Sequence, residues 1–99
     1  MNENREAWIW RKYGLSADAY WTLWREQNGL CAICGEEPER DLVVDHCHMH
    51  GHVRGLLCGS CNSGLGFFRD SASALCAADR YLAKDRLRRG ESRYALPGA

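Results

Sequence analysis

The residues able to do chemistry are concentrated between Leu42 and Asn62, in the stretch LVVDHCHMHGHVRGLLCGSCN. It holds Asp45-His46, all four histidines of the chain (His46, His48, His50 and His52) and the closing Cys58-Gly59-Ser60-Cys61-Asn62. Upstream lies Cys31-Ala32-Ile33-Cys34, so two C-x2-C pairs separated by 23 residues bracket the histidines. Four thiolates at this spacing specify a tetrahedral zinc site, because each C-x2-C turn aims two sulfurs at one ion roughly 2.3 Å away. Two disulfides, or unrelated core thiols, are the alternative. The opening MNENREAW is charged and has no apolar run before a cleavage site, so a reducing compartment and bound metal are expected instead. Cys47 and Cys76 stand outside both pairs. Cys76 reads as a small buried hydrophobe on the apolar face of a helix.

The remaining polar residues of the stretch suit a second, harder ion. The Asp45 carboxylate and the Asn62 amide oxygen are ligands for Mg2+, which keeps its other positions for water and phosphate oxygens. His46 beside such an ion could take a proton from water, since imidazole titrates near neutrality. Asp45 and His46 are consecutive on a strand and face opposite sides unless the strand bends or bulges there. Ion, base and phosphate together define phosphodiester hydrolysis. Arg54 fits either a bidentate phosphate contact or a structural pair with an acidic residue. His50 and His52 read as solvated turn residues.

Helices, strands and turns must position these groups. Asn4 to Tyr13 reads as a helix capped by Gly14, and Ser16 caps a second from Ala17 to Asn28, with Tyr20, Leu23, Trp24 and Gln27 recurring on one face. Trp24 is expected to pack in the core. Trp8, Trp10, Trp21 and Trp24 also invite a base-stacking reading. Cys31 to Gly35 is a knuckle, Glu36 to Asp41 a polar loop, and Leu42 to His46 and Val53 to Leu57 two strands of an antiparallel hairpin turning at Gly51. Ser60 to Phe68 is a short helix starting inside the second C-x2-C and expected to pack across the hairpin. Asp70 or Ser71 then caps a basic helix through about Arg89, with Leu75, Cys76, Leu82 and Ala83 inward. Its Arg86, Arg88 and Arg89 fit DNA contact or the helix dipole equally. Glu91 to Ala99 reads as a flexible end.

Ninety-nine residues support one small α+β domain, with a modest core that a structural metal would reinforce. Its parts are a helical N-terminus (1–29), a zinc and ββα core (30–68), and a C-terminal helix and tail (69–99). Formal net charge is zero, but residues 1–50 carry five Lys/Arg against nine Asp/Glu and residues 51–99 eight against four. That asymmetry suits a protein meeting nucleic acid with one face. No apolar run reaches the ~20 residues that span a bilayer, so a soluble cytoplasmic protein without a membrane partner is the expectation.

Tyr13-Gly14-Leu15, the C-x2-C pairs, Val44-Asp45-His46-x-His48, Val53 to Cys58, and Cys61-Asn62-x-Gly64-Leu65-Gly66 together resemble the phage recombination endonuclease VII family, within the HNH or His-Me finger (ββα-metal) nucleases. The resemblance spans about Tyr13 to Leu82. It implies structural Zn2+ on Cys31, Cys34, Cys58 and Cys61, catalytic Mg2+ or Mn2+ on Asp45 and Asn62, and His46 as general base. His48 falls at a position near the active centre, where it contacts phosphate, assists the metal or makes a structural hydrogen bond. It further implies a DNA endonuclease leaving 5′-phosphate and 3′-hydroxyl ends, acting in a host cell from a viral or prophage gene. Cys47 departs from the family, which commonly has a second aspartate there. Family members that resolve branched DNA also have a longer C-terminal extension, which leaves nicking or cutting of ordinary DNA open here. Monomer and homodimer are equally compatible. A non-catalytic zinc-stabilised module binding DNA or protein also explains the cysteines and basic tail, but gives no reason for Asp45, His46 and Asn62 together. A zinc-thiolate redox role would rest on Cys47 alone.

Overall fold

The computed structural model describes residues 2–90, so the expected flexible end from Glu91 onward lies outside it. Within them the chain is a small α+β protein with four helices and one two-stranded sheet. It divides into two compact units, residues 1–64 and 65–99.

In the first unit, helix α1 (Glu3–Tyr13) starts at Asn2, whose side chain accepts from the Arg5 N–H, and stops at Gly14 with φ 67°. Helix α2 (Ala17–Glu26) starts at Ser16, whose hydroxyl accepts from the Ala19 N–H. It ends two residues earlier than its apolar periodicity predicts, because Asn28 (φ 56°) and Gly29 (φ 71°) turn left-handed. Gly29 is required there: a Cβ would lie 2.7 Å from the Trp24 ring. Trp24 packs over this turn and against Trp21, yet it is 38% exposed, so it is not the core residue expected. The core is instead Ile9, Tyr20, Leu42, Val44, Leu56 and Leu57, and each such side chain contributes roughly 1.5–3 kcal/mol by burial. Tyr20 buries its ring because its hydroxyl donates to the Leu42 carbonyl at 2.7 Å, which satisfies the one polar atom it brings inside.

Strands β1 (Val43–His46) and β2 (Val53–Leu57) pair antiparallel, with Val43 opposite Leu57, Val44 opposite Leu56 and Asp45 opposite Gly55. Gln27, just past α2, splices helix to sheet: its amide donates to the carbonyls of Leu30 and Leu56 and accepts from the Leu56 N–H. Gly55 accommodates this splice, since a Cβ there would sit 3.3 Å from Gln27 Oε1. The helices packed on the sheet are α1 and α2. Helix α3 (Gly59–Phe67), placed across the hairpin by the sequence reading, buries no side chain of its own. Its run GSCNSGLGF has no apolar stripe to bury.

In the second unit, α3 ends in a turn with Arg69 (φ 54°) and Asp70 (φ 56°) left-handed, closed by the Asp70 N–H on the Leu65 carbonyl. Ser71 caps helix α4 (Ala72–Arg88), and Gly90 follows at φ 78°. Ala83 is the buried residue of α4. Leu82 is 53% exposed and Cys76 is exposed as well, against the expectation that both point inward. Leu75, Cys76, Leu82 and Ala83 share one side of α4, but periodicity predicts a shared side and not its burial.

Candidate active site and metal centre

The knuckle is built by short backbone hydrogen bonds. The Gly35 N–H donates to the Cys31 carbonyl at 3.0 Å with Gly35 at φ 70°, and the Ala32 N–H donates to Leu56, tying the knuckle to β2. Cys58 leaves the end of β2, and the Cys61 N–H reaches back to its sulfur at 3.4 Å. The sulfurs of Cys31, Cys34, Cys58 and Cys61 consequently lie within 4.8 Å of one another, with Cys34 and Cys58 3.9 Å apart. Tetrahedral Zn–S bonds of about 2.3 Å require sulfur separations of about 3.8 Å, which the Cys34–Cys58 pair already matches and the other sulfurs approach.

The electrostatics of the cluster point the same way. Burial pushes the Cys31 thiol up, but backbone hydrogen bonds from Cys58, Cys34 and Ile33 outweigh it and bring it down to about 6. At Cys61, burial and then hydrogen bonding with Cys58, Cys31 and Cys34 push the thiol up to about 12. A backbone hydrogen bond from Glu36 draws Cys34 down, yet desolvation and its neighbours Cys31 and Cys58 leave it raised. Four sulfurs packed this closely repel one another's negative charge, and a divalent cation at their centre removes that cost.

Across the hairpin, the ladder slips between Asp45 and His46, with Asp45 opposite Gly55 but His46 opposite Val53. In unbroken register His46 would stand opposite Arg54. The slip leaves Arg54 as the extra residue of a β-bulge, which re-aims its side chain. Arg54 Nε and Nη2 bond the two Asp45 oxygens at 2.7 and 2.9 Å, a bidentate pair. Asp45 is only 8% exposed, while the Arg54 side chain is 32% exposed. Of the two roles open to Arg54, the structure therefore displays the acidic pairing. A carboxylate offers about four acceptor directions and Arg54 uses two, so the donor chemistry of Asp45 still suits a hard ion.

His46 is half-buried between two rings, Tyr13 at 5.3 Å and His48 at 4.7 Å between centroids. Tyr13 in turn stands edge-on to Trp8, with the Lys12 ammonium over both. Tyr13, which the sequence offered chiefly as a helix end, thus buttresses the candidate base. Asn62 lies exposed on the first turn of α3, its N–H bonded to the Cys58 carbonyl at 3.0 Å. In the turn, Cys47 Sγ meets His50 Nδ1 at 3.5 Å, and Cys47, His50 and His52 bring their ligand atoms within 4.8 Å of one another. Hydrogen bonds from the His50 backbone and then its ring lower the Cys47 thiol. The two histidines are exposed, as the sequence reading had them, but its treatment of Cys47 as separate missed this gathering. A cleft of about 530 Å³ is lined by Glu36, Glu37, Glu39, Arg40 and Asp41 together with Cys34 and Cys58 of the four-cysteine cluster.

Fold and cluster together define a small α+β protein whose four clustered cysteines could hold a metal ion. The chain belongs to the recombination endonuclease VII family, whose sequence profile it matches over residues 6–84. It is 43% identical to the Gene 59 protein of Mycobacterium phage D29 over 82 residues, covering 80% of this chain and 50% of that protein. To the Gene 59 protein of Mycobacterium phage L5 it is 41% identical over 80 residues, covering 78% and 49%. The chain spans about half the length of these curated relatives. No solved structure matches it significantly. No helix among the described residues is long and apolar enough to cross a membrane.

Proposed function

We propose that the chain is a metal-dependent DNA endonuclease of the HNH type, its ββα-metal core formed by the β1–β2 hairpin and α3 and its zinc knuckle structural. Membership of the recombination endonuclease VII family carries this reading, and the match includes every residue assigned a role below. Asp45 and Asn62 would hold Mg2+ or Mn2+, which when bound supplies charge stabilisation to the phosphate and the leaving oxygen.

His46 is the general base. Its imidazole takes a proton from a water that attacks phosphorus in line; the new P–O bond forms as the P–O3′ bond breaks, and the 3′ oxygen leaves to be protonated by solvent. The products carry 5′-phosphate and 3′-hydroxyl ends. Tyr13 and His48 limit the swing of the His46 ring, which keeps the base near one geometry. Arg54 fixes the Asp45 carboxylate along the strand. His48, exposed beside His46, would contact a phosphate.

Supercoiled plasmid incubated with the purified chain tests this. Nicking or linearisation with Mg2+ or Mn2+, abolished by EDTA, is the expected result. His46→Ala should lower the rate by about 10²–10⁴ while leaving fold and zinc content intact, and a variant cutting at the parental rate would remove His46 from the mechanism. A second reading draws on the Arg54 pair, which occupies both Asp45 oxygens as a purely structural contact would. On that reading the chain is a zinc-stabilised module binding DNA or protein, and plasmid would be bound but never cut.

A further inference from the structure

We propose that Cys47, His50 and His52 form a second metal site, taking Zn2+ or a transition ion of similar preference, at the tip of the hairpin. The turn prearranges it. The Cys47 N–H donates to the His52 carbonyl at 2.8 Å and the Gly51 N–H to the Cys47 carbonyl at 2.7 Å, with Gly51 at φ 79° folding the chain back. Cys47 and His52 thus face each other across the base of the turn while His50 leans over it.

The spacing that makes a Cys47–His50 hydrogen bond is also compatible with a metal. Tetrahedral zinc with a bond of about 2.3 Å to sulfur and about 2.05 Å to imidazole nitrogen sets those atoms about 3.6 Å apart. Cys47 Sγ and His50 Nδ1 are separated by 3.5 Å, and the whole triad falls within 4.8 Å. The His50 and His52 rings lie 6.1 Å apart between centroids, tilted by 33°, and both side chains are exposed.

Donor type selects the ion. One thiolate and two imidazoles suit Zn2+, Co2+, Ni2+ or copper and not the oxygen-seeking Mg2+. With three protein ligands and both histidines exposed, the fourth position is open to water, and the ion exchanges more readily than one enclosed by four cysteines. Cys47 directly follows His46, so an ion here pins the backbone beside it without touching the four-cysteine knuckle.

The test uses the full chain carrying Cys76→Ser, which removes the exposed thiol outside both clusters. Metal-stripped, reduced protein is titrated with Co2+, and zinc content is measured after equilibrium dialysis. The first equivalent should give the intense sulfur-to-cobalt bands of a four-thiolate site. A second, weaker-binding equivalent should add a one-thiolate spectrum, and dialysis should return two zinc ions per chain. Cys47→Ser, His50→Asn and His52→Asn should each abolish the second equivalent while leaving the four-thiolate bands, which also certify folding. Saturation at one thiolate-bearing equivalent in the parent, or a one-thiolate second spectrum that survives these substitutions, would overturn the proposal; cobalt on Asp45 and Asn62 adds no sulfur-to-cobalt band. Because the readout is stoichiometry and spectrum, a failure of nuclease activity leaves the result unaffected, and the reverse also holds.

Discussion

The two ends of the hairpin carry metal-ligand clusters of opposite construction. At the open end, Cys31, Cys34, Cys58 and Cys61 come from two segments far apart in sequence, are buried or half-buried, and are tied to β2 by backbone hydrogen bonds. At the turn, Cys47, His50 and His52 come from six consecutive residues and are mostly exposed. An ion held at the first end closes a long loop and joins segments that the chain alone must bring together, so its binding energy is folding energy. An ion at the turn adds to a local structure that its own hydrogen bonds already make. The contrast teaches that ligand count matters less to stability than the length of chain the ligands bridge.

The largest effect should follow from breaking the open end. Structural zinc supplies about 10 kcal/mol or more, comparable with the whole stability of a small domain, so Cys58→Ser or a strong chelator should unfold the first unit, seen as loss of far-ultraviolet circular dichroism. If the stripped protein keeps its parental melting curve, the contrast collapses. Next comes the middle of the hairpin: Arg54→Ala leaves the nearly buried Asp45 without its bidentate partner and should cost about 2–3 kcal/mol in chemical denaturation. Tyr20→Phe should cost about 1–1.5 kcal/mol, as the Leu42 carbonyl loses its buried donor. Cys47→Ala should shift stability by less than about 0.5 kcal/mol without added metal. In excess Zn2+, however, the parent should gain melting temperature and this variant should not.

Acid sharpens the same comparison. The Cys61 thiol lies at about 12, so metal entering the knuckle near neutrality must displace its proton, and below about pH 6 Cys31 takes up another. Zinc affinity at the open end should therefore fall as pH is lowered, and more steeply once pH passes below about 6, which competition with a zinc indicator measures directly.

Most of the local structure was legible in the chain. Asn2 excepted, the caps at Gly14 and Ser16 announced themselves, and that of α4 was narrowed to Asp70 or Ser71, because capping depends on a few adjacent atoms. The knuckle was legible for the same reason, since C-x2-C is a local turn. Trp24, Leu82 and Cys76 were misjudged because helical periodicity reports which residues share a face and not whether anything covers that face. Gln27 passed as one more position on a helix stripe, although its amide ends up joining α2 to β2 across 29 residues of sequence.

The sequence by itself determined the four-cysteine cluster, several of the helix caps and the pairing of two β-branched strands, all of which rest on residue type and short spacing. Only the tertiary structure decided where Arg54 goes. The bulge that turns it onto Asp45 arises from how two strands register, a property of both strands together with the helices packed on them. Likewise, the tilted ring contact of Tyr13 with His46 joins a helix to a strand 33 positions later, and no local pattern carries information over that distance.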